Sequence, residues 1–282
     1  MLCEVLGVAR SSYYHWRARQ EREPSERGRK NAELSEKIKA VFEKHKGRYG
    51  SPRVYAELKK QRVTCSLGRV KRLMRREGLY AVSNKKRCSK RERCELETQN
   101  LLLEQPRPSA INQVWYVDIT YIATAEGWLY LAGVMDAYSK RIVGYAMADN
   151  MKTDLVLQAL RSATTRRKPT AGLIHHSDRG SQYTSYAYQH ELATNKMRPS
   201  FTGKGACFDN AVIESFWSTL KRELVYPIER FATRDDARVA IFEYIEIYYN
   251  RERLHSSLNY ETPDTFEISQ QLQKNQEVSL AA

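Results

Sequence analysis

Three apolar runs follow one another closely in the second half of the chain, and they restrict its fold more than any other feature. They are VWYVDITYI (114–122), WLYLAGVMDAYS (128–139) and RIVGYAMA (141–148), rich in β-branched and aromatic residues and separated by turn-like EG and SK pairs. That spacing predicts an antiparallel meander. The pattern then alternates. TDLVLQALRSATTRR (153–167) reads as a helix capped by Thr153, and GLIHHSD (172–178) as a short buried strand ending in Asp178. YTSYAYQHELATNK (183–196) reads as a helix and MRPSFT (197–202) as a short strand. A further helix runs from Asp209 to about Leu224. Thr233 caps another, with Asp235 and Asp236 in its first turn, where the positive dipole end favours them. The tail after about residue 270 is polar and reads as frayed.

Three strands, helix, strand, helix, strand, helix is the element order of a ribonuclease-H-like α/β fold, with a mixed five-stranded sheet and flanking helices. Three acids stand on this scaffold where a soluble domain rarely wants them. Asp118 sits inside an apolar strand, where Asp is disfavoured. By alternation it shares a face with Tyr116 and Thr120, while Trp115, Val117, Ile119 and Tyr121 face the other way. Asp178 ends its strand and is followed by Arg179-Gly180-Ser181. Glu214 lies on a helix beside the apolar stripe Ile213, Trp217, Leu220 and Leu224. Singly, each has an ordinary reading, as a strand-end residue, a turn cap or a solvated helix residue. Together, three carboxylates would repel one another and raise their pKa values. Hard divalent cations such as Mg²⁺ or Mn²⁺ remove that penalty, and two of them suit displacement at a phosphodiester. Lys221, about two helical turns after Glu214, and Asn210, four residues before it, share its helix face and are candidate DNA contacts. No Ser-His-Asp arrangement or phosphate-cradling glycine loop competes. His175-His176 reads more readily as polar framing of a strand than as a metal ligand pair.

Charge divides the chain. The net charge is +14, yet residues 1–107 hold 28 Lys and Arg against 13 Asp and Glu, while residues 108–282 hold 19 against 20. A basic half beside a near-neutral half suggests a nucleic-acid grip attached to another activity. Within KGRYGSPRVYAELKKQRVTCSLGRVKRLMRREGLY (46–80), one helix starts after Pro52 and turns Val54 and Leu58 inward. A second starts at Ser66, with Leu67, Val70, Leu73 and Met74 on one face and Gly78 at the left-handed C′ position. Its basic residues include Arg69, Arg72, Arg75 and Arg76, which suit a DNA groove or, equally simply, the solvated face of any bundle. Residues 19–31 read as a linker or exposed helix. NKKRCSKRER (84–93) reads as a basic linker touching phosphates or as a solvated tether.

The five cysteines are Cys3, Cys65, Cys88, Cys94 and Cys207, with no pair two residues apart. That spacing argues against a disulfide framework or a zinc site, and for a reducing, cytoplasmic setting. No run of roughly 18 apolar residues predicts a membrane span, and residues 1–10 do not read as a signal peptide.

Several blocks together resemble a known family. WYVDITYI (115–122), VMDAYSKRIVGYAM (134–147), HSDRGSQYTS (176–185), DNAVIESFWSTLKRE (209–223) and YNRERLHSSLNYETP (249–263) are similar, in order, to the signature blocks of bacterial insertion-sequence transposases of the IS-three family, second-frame product. The 35 residues between Asp178 and Glu214 match that family's spacing, and the resemblance runs from Leu2 to about Phe266. It implies a DDE recombinase with an integrase-like core, the triad Asp118, Asp178 and Glu214, two Mg²⁺ ions that Mn²⁺ can replace, and Lys221 at the transposon end. It also implies cleavage that frees a 3′-hydroxyl, followed by attack of that hydroxyl on another DNA strand. Implied partners are transposon-end and target DNA, further copies of the chain on DNA, and an upstream-frame helix-turn-helix protein or frameshift fusion. The implied location is the bacterial cytoplasm, at the nucleoid.

The expected organisation is a partial helix-turn-helix remnant (1–20), an integrase-type helix-turn-helix (40–82), a basic linker (83–107), the catalytic core (108–225) and a helical C-terminal extension (226–270). Residues 2–19 look like the second half of a helix-turn-helix, with Ser11 capping its helix. Met1 falls inside that motif, so the chain is expected to bind element ends weakly or to be inactive alone. Phe216-Trp217, where the family commonly has paired Phe, is expected to serve packing only. The alternative functional reading is a non-catalytic DNA-binding regulator or an inactive transposase remnant.

Overall fold

In the computed structural model, residues 7, 9–20, 25–82, 100–102, 107–203 and 210–281 are described. The chain divides into two compact units, residues 1–81 and 82–282.

The first unit is helical. Helix α1 (Arg10–Gln20) begins one residue before Ser11, so Ser11 lies in the first turn and does not cap it. Helix α2 (Glu26–Lys44) is long and well formed, with the Ser25 hydroxyl accepting from the Gly28 N–H. It runs through residue 40, where the sequence suggested that the helix-turn-helix begins. Helices α3 (Ser51–Lys60) and α4 (Leu67–Arg76) pack on α2 and on each other. Leu34, Ile38 and Val41 of α2 meet Val54 and Leu58 of α3 and Val70, Leu73 and Met74 of α4 in the buried core. Ser66 caps α4 as expected, accepting from the Arg69 N–H at 3.3 Å, and Gly78 takes a φ of +68°. Leu67 is exposed rather than buried. Side chains lean toward the N-terminus of a helix, so this first-turn residue overhangs the face its successors bury.

The second unit is built on a five-stranded sheet. Strands β1 (Val114–Thr124), β2 (Gly127–Asp136) and β3 (Ile142–Ala148) form the antiparallel meander. Helix α5 (Thr153–Arg167) then leads to β4 (Ile174–Ser177), which lies parallel to β1. The expected helix over 183–196 is instead two, α6 (Ser181–Thr184) and α7 (Tyr186–Thr194). Ser185 between them is extended and caps α7 through the Tyr188 N–H, which breaks the helix at a residue suited to capping. Strand β5 (Arg198–Phe201) joins β4 in parallel, giving the order β3-β2-β1-β4-β5. This mixed sheet with flanking helices is the ribonuclease-H-like arrangement.

One sheet face is covered by α5 and α7. Trp115, Val117, Ala132, Val134 and Val143 pack there against Leu155, Leu160, Ala163, Tyr188 and Leu192. Gly144 is required by this contact, since a Cβ would lie 2.5 Å from the Ala163 amide nitrogen. Thr153 is the first residue of α5 rather than its cap, a position held by Lys152 without a side-chain bond. Helix α8 (Ala211–Leu220) lies on the opposite face and continues through a π-helical turn, Lys221–Val225, into α9 (Tyr226–Ile228). Helix α10 (Arg234–Phe242) has the expected Thr233 cap, reciprocated by Asp236 in a full capping box. It extends through a second π-helical stretch, Glu243–Tyr249.

The C-terminal block is a clasp. The Asn250 carboxamide accepts from the Ile142 N–H and donates to the Ile142 carbonyl, both at 3.0 Å, occupying main-chain groups of edge strand β3. Arg253 grips the buried Glu223 carboxylate through Nε and Nη2, and Tyr244 donates to the same carboxylate at 2.9 Å. His255 is buried edge-on against Tyr249, 4.8 Å between ring centroids. The tail is not frayed: helix α11 spans Pro263–Ala281. It is tied back through Glu267 to Arg141 and Arg167.

Candidate active site

Asp118 is delivered by the middle of β1 to the sheet face under α8. Its register partner on β2 is Gly133. The missing side chain at Gly133 makes room for Trp217 of α8, whose Cη2 would lie 2.7 Å from a Cβ there. The indole therefore lies against β2, and its Nε1–H donates to Asp118 Oδ2 at 3.0 Å. The other carboxylate oxygen accepts from the Ile119 N–H at 2.8 Å. Two of the four acceptor sites of the carboxylate are used, and its orientation is set.

Burial pushes the Asp118 carboxyl up to about 7; the charges of Asp178 and Glu214 push in the same direction, while the Ile119 and Trp217 N–H groups pull it back. Three acids far apart in sequence thus share one electrostatic neighbourhood. Asp178 is exposed just beyond β4 and accepts from the Gly180 N–H at 2.9 Å, an Asx turn. Glu214 is exposed in the first turn of α8. Among the described residues, no three of His, Cys, Asp and Glu stand close enough together to hold a metal ion. The donor chemistry nonetheless fits a hard divalent cation: oxygen-only ligands, one of them an acid raised by burial and like charge. Of the GKGACF segment before α8 (203–208), residues 204–208 lie outside the described residues.

Lys221 reaches this neighbourhood. Its ammonium lies 4.7 Å from the centre of the Tyr121 ring. Burial lowers its pKa while the charge of Asp118 works against that shift. Asn210 does not offer the DNA-facing amide expected of it. It is buried, and its Nδ2 donates to the Val117 carbonyl at 3.4 Å, tying the start of α8 to β1. The residue before a helix points back at the element that the helix packs on, which overrides the simple face argument.

The histidine pair is framing. His175 bonds the Tyr188 hydroxyl at 2.8 Å and His176 the Ser200 hydroxyl at 2.9 Å. Both are buried, and burial lowers His175 to about 3. In the helical unit, the four arginines divide. Arg69 Nε donates to Asn31 at 2.9 Å, and Arg76 bonds Ser35 at 3.2 Å and pairs with Glu77, so both brace α4. Arg72 and Arg75 are exposed, with no hydrogen bond or ion pair among the described residues. The 84–93 linker lies outside the described residues.

Trp217 was not singled out by the sequence except for packing. Its tryptophan-for-phenylalanine departure was the available signal, because only the indole can donate to an acid.

Comparison with known proteins agrees with this architecture. Residues 108–207 and 195–263 each match a family described as Integrase core domain, and residues 29–87 match one described as HTH-like domain. The fold and site therefore define an integrase-core protein with a helix-turn-helix-like unit before the core. The chain is 42% identical over 267 residues to an uncharacterized 31 kDa protein of insertion element IS600 from Shigella sonnei, covering 94% of this chain and 97% of that one. It is 40% identical over 268 residues to transposase InsF for insertion sequence IS3A from Escherichia coli K12, covering 94% and 92%. It belongs to the IS-three (IS3) family of insertion-sequence transposases. Among solved structures, the catalytic core domain of HTLV-2 integrase, determined with magnesium in a dimeric form, is similar at 13% identity, with a TM-score of 0.43 over 56% of this chain and 98% of that one. Among the described residues, no helix is long and apolar enough to cross a membrane.

Proposed function

We propose that this chain is the catalytic subunit of an insertion-sequence transposase, a polynucleotidyl transferase of the DDE class that cuts DNA at element ends and joins the freed 3′-hydroxyl to target DNA. The observation carrying this reading is Asp118: a strand-borne acid held by the Trp217 indole, its pKa raised by burial and, in the same direction, by the charges of Asp178 and Glu214. Asp118, Asp178 and Glu214 would hold two Mg²⁺ ions, or Mn²⁺ in their place. Bound there, the ions supply activation of the attacking oxygen and charge stabilisation of the leaving oxygen.

The chain's own residues supply the rest. Trp217 and the Ile119 N–H fix the plane of the Asp118 carboxylate. Lys221 offers a cation to a DNA phosphate beside the acids. Arg72 and Arg75 offer phosphate contacts on the helical unit, which would position DNA without reading its sequence. In the first stage water breaks the phosphodiester at the element end, leaving a 3′-hydroxyl and a 5′-phosphate. In the second that 3′-hydroxyl attacks a phosphodiester of the second strand, forming one phosphodiester as it breaks another and releases a 3′-hydroxyl, without a covalent protein–DNA link. The partners are element-end DNA, target DNA, further copies of the chain and an upstream-frame helix-turn-helix protein or fusion, all in the bacterial cytoplasm at the nucleoid.

A strand-transfer assay tests this. Labelled DNA bearing the element's ends is incubated with Mg²⁺ or Mn²⁺ and either this chain or its upstream-fused form, each alongside Glu214→Gln. Metal-dependent joining that disappears in the Glu214→Gln proteins is expected. Retained DNA binding with no joining by either wild-type form would instead make the chain a regulator or an inactive remnant.

A further inference from the structure

Beyond Tyr116, β1 runs on without β4 beside it, because β4 pairs only with Val114, Trp115 and Tyr116. The strand then carries Tyr121, which is 51% exposed and meets Trp128 of β2, 50% exposed, edge to face at 5.0 Å between centroids. The hairpin holding them is well supported. The Thr124 hydroxyl donates to the Gly127 carbonyl at 2.7 Å, and Arg234 reaches the Trp128 carbonyl at 3.2 Å. Two large aromatic rings are thus kept rigid and half in water. Along β1, Tyr121 stands about 10 Å from Asp118 at roughly 3.3 Å per residue, on the other face of the strand by alternation, and Trp128 lies opposite Ala123, about 16 Å along. Lys221, carried by the continuation of α8, brings its ammonium over Tyr121 and has no ion pair among the described residues.

Exposed aromatics with a neighbouring cation form the pattern that receives unpaired nucleotides: the rings stack on a base and the cation meets the phosphate. Bases inside a duplex offer no free π-face, whereas a frayed or single-stranded end does. We propose that Tyr121, Trp128 and Lys221 form a stacking platform for an unpaired nucleotide of the DNA strand next to the one cut at Asp118. This rests on the strand-cutting reading above, and it adds a contact that the three acids do not make. Its role is to hold a DNA end open and to fix its direction into the site.

The test uses the full chain without divalent metal, so that no cutting occurs. The probe is a duplex with a short 5′ single-stranded tail containing 2-aminopurine, on the strand complementary to the one cut, with a blunt duplex of the same sequence as control. The expected result is quenching of the tail fluorophore on binding. Tyr121→Ala or Trp128→Ala should abolish the quench and weaken tailed-DNA binding about tenfold or more, with blunt-DNA binding little changed. Tyr121→Phe and Trp128→Phe should keep the quench. Alanine variants that fold, by circular dichroism, and still quench would overturn the platform. So would a wild-type dimer, seen by sedimentation, that dissociates in those variants, since that would assign the rings to a contact between copies. Asp118→Asn should leave the stacking signal intact while abolishing strand cutting, so failure of the platform and failure of the catalytic reading give different results.

Discussion

Two aspartates on neighbouring strands of the same sheet, Asp118 half-buried and Asp136 buried, have opposite surroundings. Asp136, at the end of β2, is fully buried and accepts from the Asn112, Tyr138 and Ser139 N–H groups and from the Ser139 hydroxyl. Arg167 stands 3.9 Å from it. Burial raises its pKa, and nearly everything else around it favours the charge. Asp118 also has its pKa raised by burial, but among the described residues it has only two donors, and it faces two further acids. An acid saturated by main-chain donors closes a turn and contributes to folding. An acid left half-supplied among like charges costs stability and is suited to receiving a positive ligand. Sequence alone cannot separate them, since both are single acids inside apolar strands.

The largest effect expected from this contrast is chemical. Asp118→Asn should reduce strand cutting by roughly 10³-fold or more, measured with pre-formed DNA complexes. Its DNA affinity should not change. Substantial cleavage by the purified variant would remove Asp118 from the site and leave it no different in role from Asp136.

The next effect is structural and falls on the other acid. Asp136→Ala leaves several buried N–H groups without an acceptor and should destabilise the second unit by about 3 kcal/mol in urea unfolding. Asp118→Asn should leave stability unchanged or increase it. If both variants destabilise alike, the two acids do the same structural job.

Much of this contrast was legible only in part. The meander, the two short strands after it and the Thr233 cap followed from local patterns of alternation, length and capping chemistry, while the parallel pairing of those two strands did not. Asp118, Asp178 and Glu214 stood out because acids are costly at those places. The donors that distinguish Asp118 from Asp136 are long-range: Trp217 lies 99 residues from Asp118, and its indole fits only because Gly133 is across the sheet. The bracing roles of Arg69 and Arg76 were hidden for a similar reason, since they depend on helix α2. That helix does carry a signal, Leu34, Ile38 and Val41 at i, i+4 and i+7, but its charged surroundings masked it. Asn210 and Leu67 fail for a third reason, because helix ends do not obey the face geometry of helix interiors.

The electrostatic side of the comparison has a direction that pH can test. Asp118 titrates near 7 when folded against an ordinary 3.8. Between those values the folded protein holds a proton that the unfolded chain has released, so this residue lowers stability as pH rises from about 4 to about 7. The advantage of Asp118→Asn over wild type should therefore widen across that window in metal-free buffer. Adding Mg²⁺ near neutral pH should raise the melting temperature of the wild type and not of the variant. A difference between the two proteins that is flat in pH would mean that neither burial nor the neighbouring acids raise Asp118 in the folded chain.

The smallest effect probes the single bond that makes Asp118 more than an exposed charge. Trp217→Phe keeps an aromatic ring over Gly133 and removes only the donor to Asp118 Oδ2. Loss of a hydrogen bond that orients a metal ligand typically weakens binding 10- to 100-fold. Because the Ile119 N–H remains, we expect the low end of that range, about tenfold in Mn²⁺ affinity by calorimetry, with folding retained. Gly133→Ala should act through the same bond by pushing the indole away, and it should cost much less in the Trp217→Phe background, where the shorter ring leaves room for the methyl. Additive losses in the double variant would mean that Trp217 only fills space. Non-additive losses would show that the gap at Gly133, the indole and the carboxylate work as one unit, an arrangement that Asp136 has no need of.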